Sequence, residues 1–272
     1  MRDTASVAAL VAERLAAIRE RKPLIHHITN LVVMNETANA TLAIGALPVM
    51  AHAREEVAEM VGIAGALVLN VGTLTPELID SMAVAGRRAN ELGVPVVLDP
   101  VGAGATRLRT ESVARLLREL KVTIVRGNAG EIGVVAGAGG EVRGVESYGA
   151  KGDLVEVGRR LAKLYGTTAA ISGKRDIIVD GQRVGYCDNG HALLTKITGT
   201  GCVATTVIAA FAAVEPDPLL AATAGYAALG IAGEVAAERA SGPGTFQPAL
   251  FDALYALDRA TILERCRAWV EG

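Results

Sequence analysis

The sequence predicts an α/β fold: a largely parallel sheet covered by helices on both faces, with an antiparallel hairpin at the sheet edge. Three observations carry this expectation. Short apolar runs alternate with helical stretches at the spacing of βαβ units. The run Ala66-Leu67-Val68-Leu69-Asn70-Val71-Gly72 is almost unbroken, as a central parallel strand buried on both faces must be. Residues 176–186 break the alternation, reading as two short strands around a turn at Gly181. No repeat or Pro/Ser-rich linker divides the chain, so residues 1–272 read as a single domain.

The elements follow in order. Residues 4–21 form an amphipathic helix with Val7, Leu10, Val11, Leu15 and Ile18 on one face, stopped by Pro23. Residues 24–28 are a short strand on which His26 and His27 face opposite ways, so the two cannot pair on one metal. A helix enters after Thr29-Asn30 and ends near Gly45. A strand at 48–51, a helix at 55–63 and the strand at 66–72 follow. Regular alternation continues with a helix at 75–92, opened by Pro76, and a strand at 94–100. Next come a helix at 110–120, a strand at 122–128 and a short helix at 128–136. A glycine loop at 137–140, a helix at 151–165 and a strand at 168–172 lead to the hairpin. From Cys202 onward the pattern is helical: 203–214, 219–239, 248–257 and a tail holding Trp269.

Composition narrows the function. A formal charge of −2 leaves no basic footprint for nucleic acid, and 3% aromatics leave no stacking platform for bases. Cys187, Cys202 and Cys266 are odd in number and form no disulfide framework, which fits a reduced cytoplasmic setting. Every long apolar stretch is marked by Gly, Pro or charge, so no membrane span is expected.

The chemistry concentrates around Thr198-Gly199-Thr200-Gly201-Cys202. Two glycines before an apolar helix let backbone N–H groups approach a ligand, and the helix start adds partial positive charge. Gly199, Thr200 and Gly201 therefore read as an anion hole for phosphate. Cys202 sits at the helix mouth, where a thiol pKa is expected to fall below its usual value of about 8.5. The sequence Gly-x-x-x-x-Gly-Lys-[Ser/Thr] is absent, and Gly199-x-Gly201-x-x-Ala204 lacks the preceding buried strand of a dinucleotide fingerprint.

In parallel sheets ligands bind beyond the carboxyl ends of the strands. Four polar clusters lie at such ends, around Asn70-Val71-Gly72, Asp99-Pro100, Arg126-Gly127-Asn128 with Glu131, and Ser172-Gly173-Lys174. Asp99 and Glu131 are hard oxygen donors suited to Mg²⁺ with substrate phosphates; alternatively Asp99 closes a turn and Glu131 is an acid favoured at a helix start. Arg126 suits a phosphate or a surface ion pair. Ser172 suits a phosphate contact or a turn cap, while Lys174 is solvated.

The order Asp99-Pro100-Val101-Gly102, Asn128-Ala129-Gly130-Glu131, Gly199-Thr200-Gly201-Cys202 resembles the ribokinase-like superfamily. With His26-His27-Ile28-Thr29-Asn30 and Asn35-Glu36-Thr37-Ala38-Asn39 it resembles, within that superfamily, the hydroxyethylthiazole kinases, from about Pro23 past Gln247. The resemblance implies a three-layer α/β/α kinase. It implies ATP- and Mg²⁺-dependent phosphorylation of a thiazole alcohol in thiamine salvage, and a homotrimer with interfacial sites. It assigns Met50, Gly199 and Asn30 to the thiazole, Arg126, Ser172 and Asn128 to ATP, and Asp99 and Glu131 to Mg²⁺. Cys202 stands where most superfamily members carry Asp, and would act as a modest base or hold the hydroxyl. Rival expectations are kinases for pyrimidine or pyridoxal alcohols, and a nucleotide-driven lyase for hydrated nicotinamide cofactors, which would carry Asp at position 202. A non-catalytic ATP-binding regulator is a third rival, which would need neither the acids nor the cysteine.

Overall fold

The computed structural model describes residues 4–137 and 154–272. Its strands are β1 (Leu24–Ile28), β2 (Leu47–Val49), β3 (Ala66–Asn70), β4 (Val96–Asp99), β5 (Ile124–Asn128), β6 (Thr168–Ser172), β7 (Asp176–Val179), β8 (Val184–Cys187) and β9 (Ala268–Glu271). They form one sheet in the order β2-β1-β3-β4-β5-β6-β7-β8-β9. The first six run parallel, and β6 through β9 pair antiparallel.

Helices cover both faces, because strands buried on both sides need an apolar partner on each. One face carries α1 (Thr4–Arg21), α2 (Met34–Ile44), α8 (Thr200–Ala212), α9 (Pro218–Arg239), α10 (Pro243–Ala256) and α11 (Arg259–Arg265). The other carries α3 (Val57–Val61), α4 (Pro76–Leu92), α5 (Arg107–Glu119), α6 (Ala129–Val135) and α7 (Leu154–Tyr165). Val68 packs toward the first face and Leu67 and Leu69 toward the second, the alternation a pleated strand imposes. The length and apolar composition of α9 would let it cross a bilayer, but 83% of its most apolar window is buried inside the protein, as in a core helix.

The parallel sheet and the hairpin of β7 and β8 are as expected, with four corrections. The antiparallel end of the sheet holds a third strand, so β9 rather than the hairpin is outermost. Correspondingly, the chain after Cys202 is not all helical: Trp269 lies in β9, opposite Tyr186, with ring centroids 5.1 Å apart and planes at 24°. A four-residue strand is set by its partner's open edge, which local periodicity does not show. The helix expected from Thr110 begins at Arg107, because Thr106 caps it by accepting from the Arg109 N–H. The helix expected from Pro248 begins at Pro243, a favoured first helical position, with Pro248 inside it. The glycine loop at 138–140 and the first residues of the helix expected from Lys151 lie outside the described residues; helix is present from Leu154.

Candidate active site

Parallel strands end together, so β3, β4, β5 and β6 bring Asn70, Asp99, Arg126, Asn128 and Ser172 to one edge. The register pairs Asn70 with Asp99, and Asn128 with Ser172. Above them stands the start of α8. Gly199 is its N-cap, at φ +82°, a left-handed conformation that favours glycine; a Cβ there would lie 2.8 Å from Val33 Cγ1. No side chain caps this helix, as none caps α2, α3 or α10, whereas Thr75, Thr106, Asn128, Asp217 and Asp258 cap α4, α5, α6, α9 and α11; of the uncapped starts described, that of α8 is the one set beside Arg126. The first N–H groups of α8 are thus left for a ligand, together with the positive end of the helix dipole. The Thr200 hydroxyl does not share in this, since it donates to Leu194 O at 2.8 Å.

Beside that helix start lies Arg126, and it is not a surface residue. It is 8% exposed. Its Nε donates to the Tyr226 hydroxyl at 3.3 Å and its Nη2 to Ser172 Oγ at 2.9 Å. The Tyr226 hydroxyl is itself anchored, donating to Ala170 O at 3.1 Å. Burial works against the Arg126 charge, but Tyr226, Asp99 and Glu131 more than offset it and hold the guanidinium protonated. A Cβ on Gly201 would stand 2.6 Å from Arg126 Nη1, so this glycine lets the cation lie against the helix start.

Asp99 is buried and held on one oxygen. Its Oδ2 accepts from Asn70 Nδ2 at 2.9 Å and Thr205 Oγ1 at 2.8 Å, with Arg126 Nη1 at 4.0 Å. Its Oδ1 is buried with no hydrogen-bond partner. Burial raises its pKa to about 6, opposed by Arg126. Glu131 closes a capping box on α6: its Oε2 accepts from the Asn128 N–H, and Asn128 Oδ1 accepts from the Glu131 N–H, both at 2.9 Å. Its Oε1 accepts from the Gly102 N–H at 2.9 Å, tying the loop after β4 to α6. Each Glu131 oxygen keeps a free lone pair, and Asn128 keeps its amide NH₂. No cluster of three or more metal-ligating side chains occurs among the described residues. The donors available to a cation here are therefore two hard carboxylates, one with an orphaned buried oxygen. That set fits Mg²⁺ completed by phosphates and water.

Cys202 faces the same cluster. Its sulfur accepts from Asn70 Nδ2 at 3.2 Å and Asn30 Nδ2 at 3.6 Å. The expectation of a lowered thiol pKa is overturned: burial and the nearby Asp99 carboxylate raise it to about 11, outweighing both amides and Arg126. The thiol is protonated at neutral pH.

Asn30 lies beyond the end of β1 and reaches Asn70 Oδ1 at 2.8 Å. Met50 follows β2, the strand beside β1, sharing this edge of the sheet but not the hydrogen bonds of the cluster. His26 and His27 do face opposite ways. His27 contacts Thr206 on α8 and is kept neutral by burial, with a pKa near 4; His26 contacts Ala51 O. Sequence reasoning placed Asn70 among the strand-end clusters but gave it no role, and it missed Thr205, Tyr226 and Arg109. Arg109 donates to Val71 O, Gly72 O and Val101 O, clamping the loops after β3 and β4. A polar residue closing an apolar strand signalled Asn70; Thr205 and Tyr226 carry no such signal inside apolar helices.

The fold is that of the ribokinase-like proteins. A ribokinase-like superfamily protein from Enterococcus faecalis superposes with a TM-score of 0.62 at 14% identity, covering 87% of each chain. The hydroxyethylthiazole kinase family model matches residues 15–260. The hydroxyethylthiazole kinase of Roseiflexus sp. (strain RS-1) is 61% identical over 262 residues, 96% of this chain and 97% of the relative. The solved hydroxyethylthiazole kinase of Pyrococcus horikoshii OT3 is 42% identical with a TM-score of 0.90, covering 97% of this chain and all of that one. The chain belongs to the hydroxyethylthiazole kinase family and is a kinase.

Proposed function

We propose that this single-domain protein transfers the terminal phosphoryl group of ATP to the primary alcohol of 4-methyl-5-(2-hydroxyethyl)thiazole. The product is the thiazole phosphate used in thiamine salvage. The observation that carries the reading is the uncapped start of α8 beside a buried, charged Arg126. Phosphoryl transfer passes through a loose transition state, so positioning and neutralising phosphate charge supply most of the rate.

Arg126 and Ser172 hold the ATP phosphates, with the Asn128 amide at the rim. The N–H groups of the Gly199-Thr200-Gly201 turn receive the travelling phosphoryl group. Asn30, Met50 and Gly199 border the thiazole. Asp99 and Glu131 would hold Mg²⁺, which when bound offsets the negative charge of the phosphates. With its thiol held protonated, Cys202 orients the acceptor hydroxyl rather than removing its proton.

Leu31 and Val32, 75% and 59% exposed, directly follow Asn30. An apolar pair bare beside the site supports a homotrimer in which a second copy covers the thiazole pocket. Free cysteines support a cytoplasmic protein, and the net charge of −2 supports small molecules rather than nucleic acid as partners.

The test is a product assay. Purified protein with ATP and Mg²⁺ is offered the thiazole alcohol, hydroxymethylpyrimidine and pyridoxal in parallel, with products read by mass spectrometry. Thiazole alcohol phosphate is the expected dominant product. Preferential phosphorylation of either other alcohol overturns the proposal.

A further inference from the structure

Asn70 joins two halves of this site. Its orientation follows from the backbone, because the Gly72 N–H donates to Oδ1 at 3.0 Å and a backbone N–H can only donate. The NH₂ end therefore faces Asp99 and Cys202. Its two hydrogens are both used, on Asp99 Oδ2 at 2.9 Å and on Cys202 Sγ at 3.2 Å. Oδ1 takes a second bond, from Asn30 Nδ2 at 2.8 Å, and Asn30 is pinned in turn by the Val32 N–H at 3.1 Å. Asn70 is 1% exposed, so no water can take over these bonds. Thr205, three residues after Cys202 on the same face of α8, holds the same Asp99 oxygen at 2.8 Å but makes no bond to the thiol.

We infer that Asn70 is a positioning residue that locks the acceptor-side thiol and the metal-side carboxylate into one rigid unit, so that hydroxyl and phosphate are aligned together. The inference rests on the proposed kinase reading. Three residues separate the roles: Thr205 supports only the carboxylate, Cys202 contacts only the acceptor side, and Asn70 supports both. A buried amide whose donors and acceptor are all satisfied is the arrangement in which one substitution disturbs every partner.

The test compares Asn70→Asp, Asn70→Ala, Thr205→Ala and Cys202→Ala by calorimetry. One titration measures thiazole alcohol binding to nucleotide-free, metal-free protein. The other measures how binding of a non-hydrolysable ATP analogue depends on Mg²⁺. Asn70→Asp keeps shape and the bond from Gly72 but sets a carboxyl oxygen where the NH₂ stood, 2.9 Å from Asp99 Oδ2, so the two carboxyls must share a proton; circular dichroism establishes that each variant is folded before it is titrated. Both Asn70 variants are expected to weaken alcohol binding at least fivefold and to raise the Mg²⁺ requirement at least fivefold. Thr205→Ala should change only the Mg²⁺ requirement, and Cys202→Ala only alcohol binding. A folded Asn70→Asp that alters one side alone, or neither, overturns the inference while leaving the kinase reading intact. Absence of alcohol binding by the parent protein sinks that reading and this inference with it.

Discussion

Gly201→Ala tests how closely Arg126 must lie against the start of α8. The added Cβ would stand 2.6 Å from Arg126 Nη1 and 3.4 Å from Cζ and Nη2. Carbon and nitrogen need about 3.5 Å between centres, so the guanidinium must retreat by roughly 1 Å. It cannot do so freely, because Tyr226 and Ser172 hold it from behind. Any retreat breaks those bonds and turns the remaining donors away from the helix start. A hydrogen bond to a charged group contributes about 1.5–3 kcal/mol, so its loss lowers kcat/KM for ATP by about 10- to 150-fold. The same substitution favours the helix by up to about 1 kcal/mol, and Gly201 is not at positive φ. Loss of the buried Arg126 bonds outweighs that gain, so melting temperature should fall by a few degrees while kcat/KM for ATP collapses, and the loss of activity should exceed that of Cys202→Ala. The assay is steady-state kinetics with ATP varied, alongside scanning calorimetry. A folded Gly201→Ala protein within twofold of the parent would refute the placing of Arg126 as the phosphate cation.

Three further outcomes follow from the geometry. Cys202→Asp should keep turnover at or above the parent at pH 7.5, since the Asn30 and Asn70 amides already donate to that position; background turnover with ATP binding intact contradicts this. Asp99 has its pKa raised from 3.8 to about 6, so the folded state holds this proton more tightly than the unfolded chain. In metal-free buffer its contribution to stability is therefore lost as pH rises from about 4 to about 6, by about 3 kcal/mol in all, and Asp99→Asn should lack that component. Denaturation of both proteins across pH 4–8 checks it, and parallel profiles refute it. Trp269→Ala unstacks Tyr186 and loosens β9, costing about 3–5 kcal/mol by urea denaturation with little change in KM for ATP.

The architecture was legible because parallel strands announce themselves. Runs such as 66–70 are apolar without alternation, and each ends in a polar residue or glycine where the chain leaves the sheet. That pattern alone determined the α/β class, the shared edge of Asn70, Asp99, Arg126 and Ser172, and the glycine turn before α8. Short motifs then carried the family.

Only the tertiary structure decided what those residues experience. Arg126 could have been a surface ion pair; the Tyr226 hydroxyl, a hundred residues away in sequence, makes it a buried cation. Cys202 at a helix start implied an easily ionised thiol, but proximity to Asp99 and burial reverse the sign. Trp269 becomes a strand because β8 offers it an open edge. Periodicity is a local property of the chain, whereas burial, charge and hydrogen-bond partners are set by segments that meet only after folding. Sequence therefore determined the strand-end residues and the glycine turn that reach the site, and packing added Thr205, Tyr226 and Arg109 and determined the protonation and partners of the rest.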